Sequence, residues 1–208
     1  HLVDLTALSG DRLERLARTP GAALGTSRER VDARSAPQAL RILDQQRIET
    51  AVVIGGNDTA ANAQALLTAA TEAGQPLTVI HAPKTIDNDL PETDHTPGYP
   101  SAARFLAQAT RDILIDSWSV RDLYPVTLLE VQGRNAGWLA AACAVAAPAL
   151  LRDHLLLFFP ERPPESPASL IDELLEARQA RGWLVAVIPE TLRDQRGQPV
   201  AGPAARWV

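Results

Sequence analysis

A chain of 208 residues, 46% hydrophobic and 22% charged with 16 Pro and 12 Gly, is long enough to bury a core over one or two domains and lies outside the compositions of disordered or fibrous proteins. A net charge of −5 with arginines scattered along the chain speaks against a nucleic-acid partner, which requires a basic stripe. No apolar run approaches the roughly 18 residues of a membrane-spanning helix, and the single cysteine, Cys143, excludes an intrachain disulfide framework and a cysteine-built zinc site, which points to a reducing cytoplasm.

Hydrophobic period and punctuation alternate helix with short apolar strand. The spacing predicts a first helix over residues 10–18, stopped by Pro20 and Gly21, and after a Gly/Ser/Arg loop a second over 37–46. Strand 50–54 ends in Gly55 and Gly56, and Asp58 is placed to cap the helix expected over 60–73. Strand 77–81 leads into a long loop, 83–97. Then follow helix 101–118, strand 126–131, helix 137–147, strand 155–159, helix 167–181 and strand 184–188. Such alternation is the pattern of an α/β protein with mostly parallel sheets, whose ligands sit at the carboxyl ends of the strands. The loop before Tyr99 is the best candidate for a domain boundary.

Two segments at strand ends carry chemistry. In Val52-Val53-Ile54-Gly55-Gly56-Asn57-Asp58-Thr59 the glycines let backbone approach a ligand, and the following helix offers unpaired N–H groups to phosphate; a plain strand-to-helix turn is the competing reading. Pro83-Lys84-Thr85-Ile86-Asp87-Asn88-Asp89 packs two carboxylates, an amide, a hydroxyl and the only lysine into seven residues. These groups can supply a proton acceptor, a cation for a transferring phosphoryl group and oxygen ligands for magnesium, against the alternative of a loop held by Asx turns. His81, His95 and His154 lack metal-ligand spacing, and the four tryptophans read as packing residues.

The second segment resembles the signature of the phosphofructokinase family, and further motifs agree in order. Leu24-Gly25-Thr26-Ser27-Arg28 resembles that family's Gly-Thr-x-Leu-Gly-x-x-Arg loop, and Gly55 to Thr59 its Gly-Gly-Asp loop. Thr96-Pro-Gly-Tyr-Pro-Ser-Ala-Ala103 resembles the segment that opens its second domain, and Glu130-Val-Gln-Gly-Arg134-Asn-Ala-Gly-Trp138 its Glu-Val-Met-Gly-Arg-x-x-Gly block. Pro160-Glu161 and Pro189-Glu190 end later strands where the family also has acidic residues. The resemblance implies two Rossmann-like, three-layer α/β lobes with mostly parallel sheets: residues 1–98 as a phosphoryl-donor lobe and 99–208 as a fructose 6-phosphate lobe. The absence of methionine in a chain that begins with His1 leads us to expect an excerpt of a longer protein, lacking an initial phosphate loop and a late sugar-phosphate segment.

By the same resemblance the reaction is transfer of a phosphoryl group to the 1-hydroxyl of fructose 6-phosphate with Mg²⁺. Asp87, Lys84 and Arg134 are the implied catalytic residues; Thr85, Asp89, Gln132, Gly133 and Glu190 bind substrate; Gly55, Gly56, Asp58 and Arg28 bind the donor; Asn57 and Asp58 are the metal candidates. Family members use ATP or pyrophosphate. Asp58 and Lys84 stand where the usual ATP-dependent bacterial form has glycine. A carboxylate there would crowd and repel a nucleotide α-phosphate, and an ammonium would stabilise a leaving phosphate, so pyrophosphate is the implied donor. An ATP-dependent enzyme and a non-catalytic regulatory paralogue are the alternatives.

Three positions depart from the family. Asn57 replaces an Asp that ligates magnesium, Gln132 replaces a Met beside the substrate, and Pro125 stands where tetrameric ATP-dependent enzymes send an Arg to the neighbouring subunit. A homo-oligomer, dimer or tetramer, is implied for the full-length protein, with no nucleic acid or membrane partner.

Overall fold

The computed structural model describes residues 3–22, 25–27 and 29–200. Two separate parallel sheets are present among the described residues. The first pairs β1 (Thr50–Gly55) with β2 (Thr78–Pro83), Thr50 opposite Thr78 and Gly55 opposite Pro83. The second has the order β3-β5-β4, from Val126–Val131, Leu184–Pro189 and Leu155–Leu157.

Helices α1 (Gly10–Arg18) and α2 (Ala36–Gln45) precede the first sheet, and α3 (Asn57–Glu72) connects its two strands. Side chains alternate across a strand, so Ala51 and Val79 join Leu40, Leu66 and Ala70 of α2 and α3 in a small core. On the opposite face Val52, Ile54 and Ile80 are exposed.

The second sheet is more deeply covered. Every residue of β5 is buried, as expected of a central parallel strand with cover on both faces. Leu184, Ala186 and Ile188 pack with Leu170 and Leu174 of α6 (Pro167–Arg181). Val185 and Val187 face the other way, towards Leu114 of α4 (Tyr99–Val120) and Ala140 of α5 (Trp138–Ala142). Full burial of one such aliphatic side chain stabilises the fold by roughly 2 kcal/mol. Capping keeps α6 in place: Ser166 Oγ accepts from the Ser169 N–H at 3.1 Å, the Ser169 hydroxyl accepts from the Ser166 N–H at 3.0 Å, and Gly182 ends the helix at φ 83.

Several expectations need correction. Asp58 does not cap α3: Gly56 is the N-cap residue, and Asp58 lies within the first turn. The helix expected over 137–147 stops at Ala142, because bonds from Cys143, Ala144, Val145 and Ala147 to carbonyls three residues back tighten the chain into turns that run to Pro148. The strand expected over 155–159 is reduced to Leu155–Leu157, although the Phe158 N–H still donates to the Val187 carbonyl at 3.0 Å. Of the tryptophans, Trp183 is buried and stacks on His154, whereas Trp118 and Trp138 are half exposed and Trp118 lies under Arg121 at 5.5 Å. Trp207 lies outside the described residues. No described helix is long and apolar enough to cross a membrane.

Candidate functional site

Both sheets send the carboxyl ends of strands towards one polar cleft of about 570 Å³. At the end of β1 the chain turns sharply into α3, and a Cβ on Gly55 would lie 2.2 Å from Thr59 Oγ1. The Gly55 carbonyl accepts two hydrogen bonds, from the Lys84 N–H at 2.9 Å and from His81 Nε2 at 2.9 Å, which sets His81 Nε2 as protonated. This crossing fixes where β2 delivers Lys84. No side chain caps α3, so its first N–H groups and the positive end of its dipole are presented to the cleft beside Asn57 and Asp58.

The loop after β2 is held by hydrogen bonds within its own segment. The Asp87 N–H donates to Thr85 Oγ1 at 3.1 Å, and the Thr96 hydroxyl donates to the Thr85 carbonyl at 2.5 Å. Asn88, 6% exposed and left-handed at φ 58, accepts from the Thr96 N–H at 2.9 Å and donates to the Asp94 carbonyl at 3.0 Å. An amide tolerates this backbone because it bonds locally. The Asx-turn reading holds, and the same loop carries Asp87 and Asp89 on the cleft lining.

Asp87 is the carboxylate most altered by its surroundings. Partial burial raises its pKa above the ordinary aspartate value, the charges of Asp89 and Glu190 raise it further, and Arg134 and Lys84 oppose the rise. A half-buried carboxylate flanked by two acids and two cations has the setting expected of a proton acceptor. Asn57 Nδ2 donates to Asp89 Oδ2 at 3.2 Å. The guanidinium of Arg30 approaches Asp58 Oδ1 at 3.5 Å, both side chains exposed, a pair of little energetic weight.

Of the residues singled out in the sequence, Gly56, Asn57, Asp58, Lys84, Thr85, Asp87, Asp89 and Arg134 line this cleft. Glu190 is close enough for its charge to act on Asp87, and its N–H donates to the Val131 carbonyl at 2.6 Å. Gly55 and Gly133 are backbone supports and do not line the cleft; Gln132 is exposed and does not line it either. Arg28 lies outside the described residues. Ser27 of the Leu24–Arg28 motif lines the cleft, as do Glu29, Arg30 and Asn62, which the sequence did not single out. Arg30 sits two residues from Arg28 in sequence.

The side-chain oxygens of Asn57 and Asp58, both on the cleft lining, are of the hard-donor type that Mg²⁺ takes. Among the described residues no three His, Cys, Asp or Glu side chains converge as a metal set. Two such donors would leave most positions around a Mg²⁺ ion to water and to bound phosphate.

Parallel sheets whose strand ends converge on a cleft of cations, carboxylates and a helix N-terminus define an α/β protein with a polar site at the carboxyl ends of its strands. The chain matches the family described as Phosphofructokinase over residues 2–202, and it belongs to that family. It is 35% identical over 208 residues to pyrophosphate–fructose 6-phosphate 1-phosphotransferase of Rhodospirillum rubrum, a match covering 100% of this chain and 50% of the relative. It is 35% identical over 207 residues to sulfofructose kinase of Alkalicoccus urumqiensis, covering 95% and 54%. ATP-dependent 6-phosphofructokinases are also among its relatives. The crystal structure of pyrophosphate-dependent phosphofructokinase from Nitrosospira multiformis superposes with a TM-score of 0.80 at 28% identity, covering 98% of this chain and 52% of that one. The chain thus spans about half the length of the relatives it matches.

Proposed function

We propose that the protein carrying this chain is a pyrophosphate-dependent 6-phosphofructokinase. The observation that carries the reading is the composition of one cleft, in which Asp87 is flanked by Lys84 and Arg134 while Asp58 stands at the N-terminus of α3. The C1 hydroxyl of fructose 6-phosphate attacks one phosphorus of pyrophosphate. A P–O bond forms to the sugar oxygen as the bridging P–O bond breaks, Asp87 takes the hydroxyl proton, and inorganic phosphate leaves. Lys84 and Arg134 stabilise the charge that spreads over the equatorial and leaving oxygens. Asp58 and the amide oxygen of Asn57 would hold Mg²⁺, which when bound neutralises diphosphate charge. Glu190 and Asp89 are assigned to the sugar side, and the exposed N-terminus of α3 to the donor phosphates.

Pyrophosphate is favoured over ATP because the Asp58 carboxylate repels a nucleotide α-phosphate, whereas Lys84 matches the compact leaving phosphate. The test is turnover by the full-length protein with fructose 6-phosphate, Mg²⁺ and each donor in turn. Fructose 1,6-bisphosphate formed with pyrophosphate is the expected result. Turnover with ATP alone would reassign the donor, and none with either donor would leave a non-catalytic paralogue.

A further inference from the structure

Arg134 is carried on a loop, 132–136, whose two ends are anchored differently. At the start, the Val131 carbonyl accepts from the Glu190 N–H at 2.6 Å, a backbone bond that survives any side-chain change. Gly133 then turns at φ 119, where a Cβ would lie 2.7 Å from the Ala136 carbonyl oxygen. At the far end Gly137 approaches the segment after β4 so closely that a Cβ would meet the Phe159 ring at 2.5 Å and Glu161 Oε2 at 2.9 Å. Across that contact the Gly137 N–H donates to Glu161 Oε1 at 2.8 Å. Gly137 is the N-cap residue of α5, so its N–H has no partner within the helix. Glu161 does not line the cleft. Its carboxylate instead clasps the backbone three residues beyond Arg134, tying the arginine loop to the β4 end of the sheet.

We infer that Glu161 is a positioning residue for Arg134: its hydrogen bond to Gly137 holds the 132–136 loop so that the guanidinium stays over the reacting phosphoryl group. The inference rests on the role given to Arg134 in the proposed reaction. An anchor of this kind acts on the transition state, where Arg134 meets the developing charge, more than on ground-state binding. What matters is an acceptor oxygen at the right reach; Glu161→Gln keeps one and removes the charge.

The experiment is steady-state kinetics on the full-length protein with Glu161→Ala and Glu161→Gln, alone and in an Arg134→Ala background, together with amide hydrogen exchange over residues 132–137. Glu161→Ala is expected to lower kcat about tenfold, as loss of a partly exposed charge-assisted hydrogen bond implies, with KM for both substrates within about twofold. Glu161→Gln should recover most of kcat. Adding Glu161→Ala to Arg134→Ala should cause no further loss, because the two act through one group. Exchange over 132–137 should rise in Glu161→Ala and not in Glu161→Gln. Wild-type kcat in Glu161→Ala, failure of Glu161→Gln to recover, or fully additive losses would each overturn the inference. If Glu161→Ala does not fold, Glu161→Asp, shorter by one methylene, takes its place with the same expectations. A wild-type protein that turns over neither donor defeats the proposed function, and the positioning claim is then decided by the exchange data alone.

Discussion

Asn57 and Asp89, 32 residues apart in sequence, meet across the cleft, the amide Nδ2 of one donating to Oδ2 of the other at 3.2 Å. The neutral amide lets the N-terminus of α3 and the loop after β2 touch without a second negative charge. Asn57→Asp would place two carboxylates at that distance. In EDTA the like-charge contact should lower Tm by about 2–4 °C, as roughly 1 kcal/mol does in a chain of this size. Mg²⁺ should restore the loss, and the Mg²⁺ concentration giving half-maximal activity should fall. Thermal melting with and without metal checks both.

Asp87→Asn should separate activity from stability. Loss of the proposed proton acceptor is expected to lower kcat by about 10²–10⁴. The folded-state pKa of Asp87 is raised, chiefly by burial, so the native state holds this proton more tightly than the unfolded chain does. Its ionisation therefore destabilises the fold as pH rises through the interval from the ordinary aspartate value up to the raised one, and that penalty is fully present at neutral pH. Asp87→Asn should accordingly raise Tm by about 1–3 °C at pH 7 and change it little at pH 3.

Two effects of Lys84 can be separated with one variant. In the proposed reaction its ammonium faces the leaving phosphate, and Lys84→Met is then expected to lose about 10²–10³ in kcat. The lysine also holds the Asp87 pKa down against its acidic neighbours. The acid limb of the kcat profile should therefore move to higher pH in this variant, a shift that loss of phosphate binding alone would not cause. Rate profiles from pH 5 to 9 would measure it.

Donor choice should respond to Asp58→Gly combined with Lys84→Gly. Removing the carboxylate at the start of α3 and the ammonium at the end of β2 opens the cleft and takes away the repulsion of an α-phosphate. The ratio of kcat/KM for ATP to that for pyrophosphate should rise by about tenfold or more, a change of at least 1.4 kcal/mol in transition-state discrimination. An unchanged ratio would assign donor choice to other residues.

Thr96 tests the scaffold behind the acids. It is fully buried, and its hydroxyl donates to the Thr85 carbonyl at 2.5 Å. Thr96→Val keeps the shape but leaves that carbonyl without its donor. A stability loss of about 1–3 kcal/mol is expected, with kcat reduced as Thr85 and Asp87 lose their fixed geometry. Denaturant midpoints and initial rates would show the two effects together.

Most of the architecture was legible in the sequence because the relevant signals are local. Apolar runs bounded by Gly and Pro marked the strands, and β3, α1 and α6 match their expected bounds. The segment 83–89 announced itself by packing complementary chemistry into one strand-end loop. The Ala-rich run after α5 has the propensity for helix, yet bonds to carbonyls three residues back tighten it into turns ahead of Pro148.

The sequence by itself determined that this is a parallel α/β chain of the phosphofructokinase family, because hydrophobic period and ordered motifs are one-dimensional information, and through that resemblance it singled out Lys84, Asp87 and Arg134, which line one cleft. Only the tertiary structure decided that Asn57 faces Asp89, that Arg30 reaches Asp58, and that Glu161 holds Gly137. Each of those contacts joins residues 24 to 32 positions apart. Separations of that size close only when sheet register and helix packing bring the segments together, and no local pattern specifies that geometry.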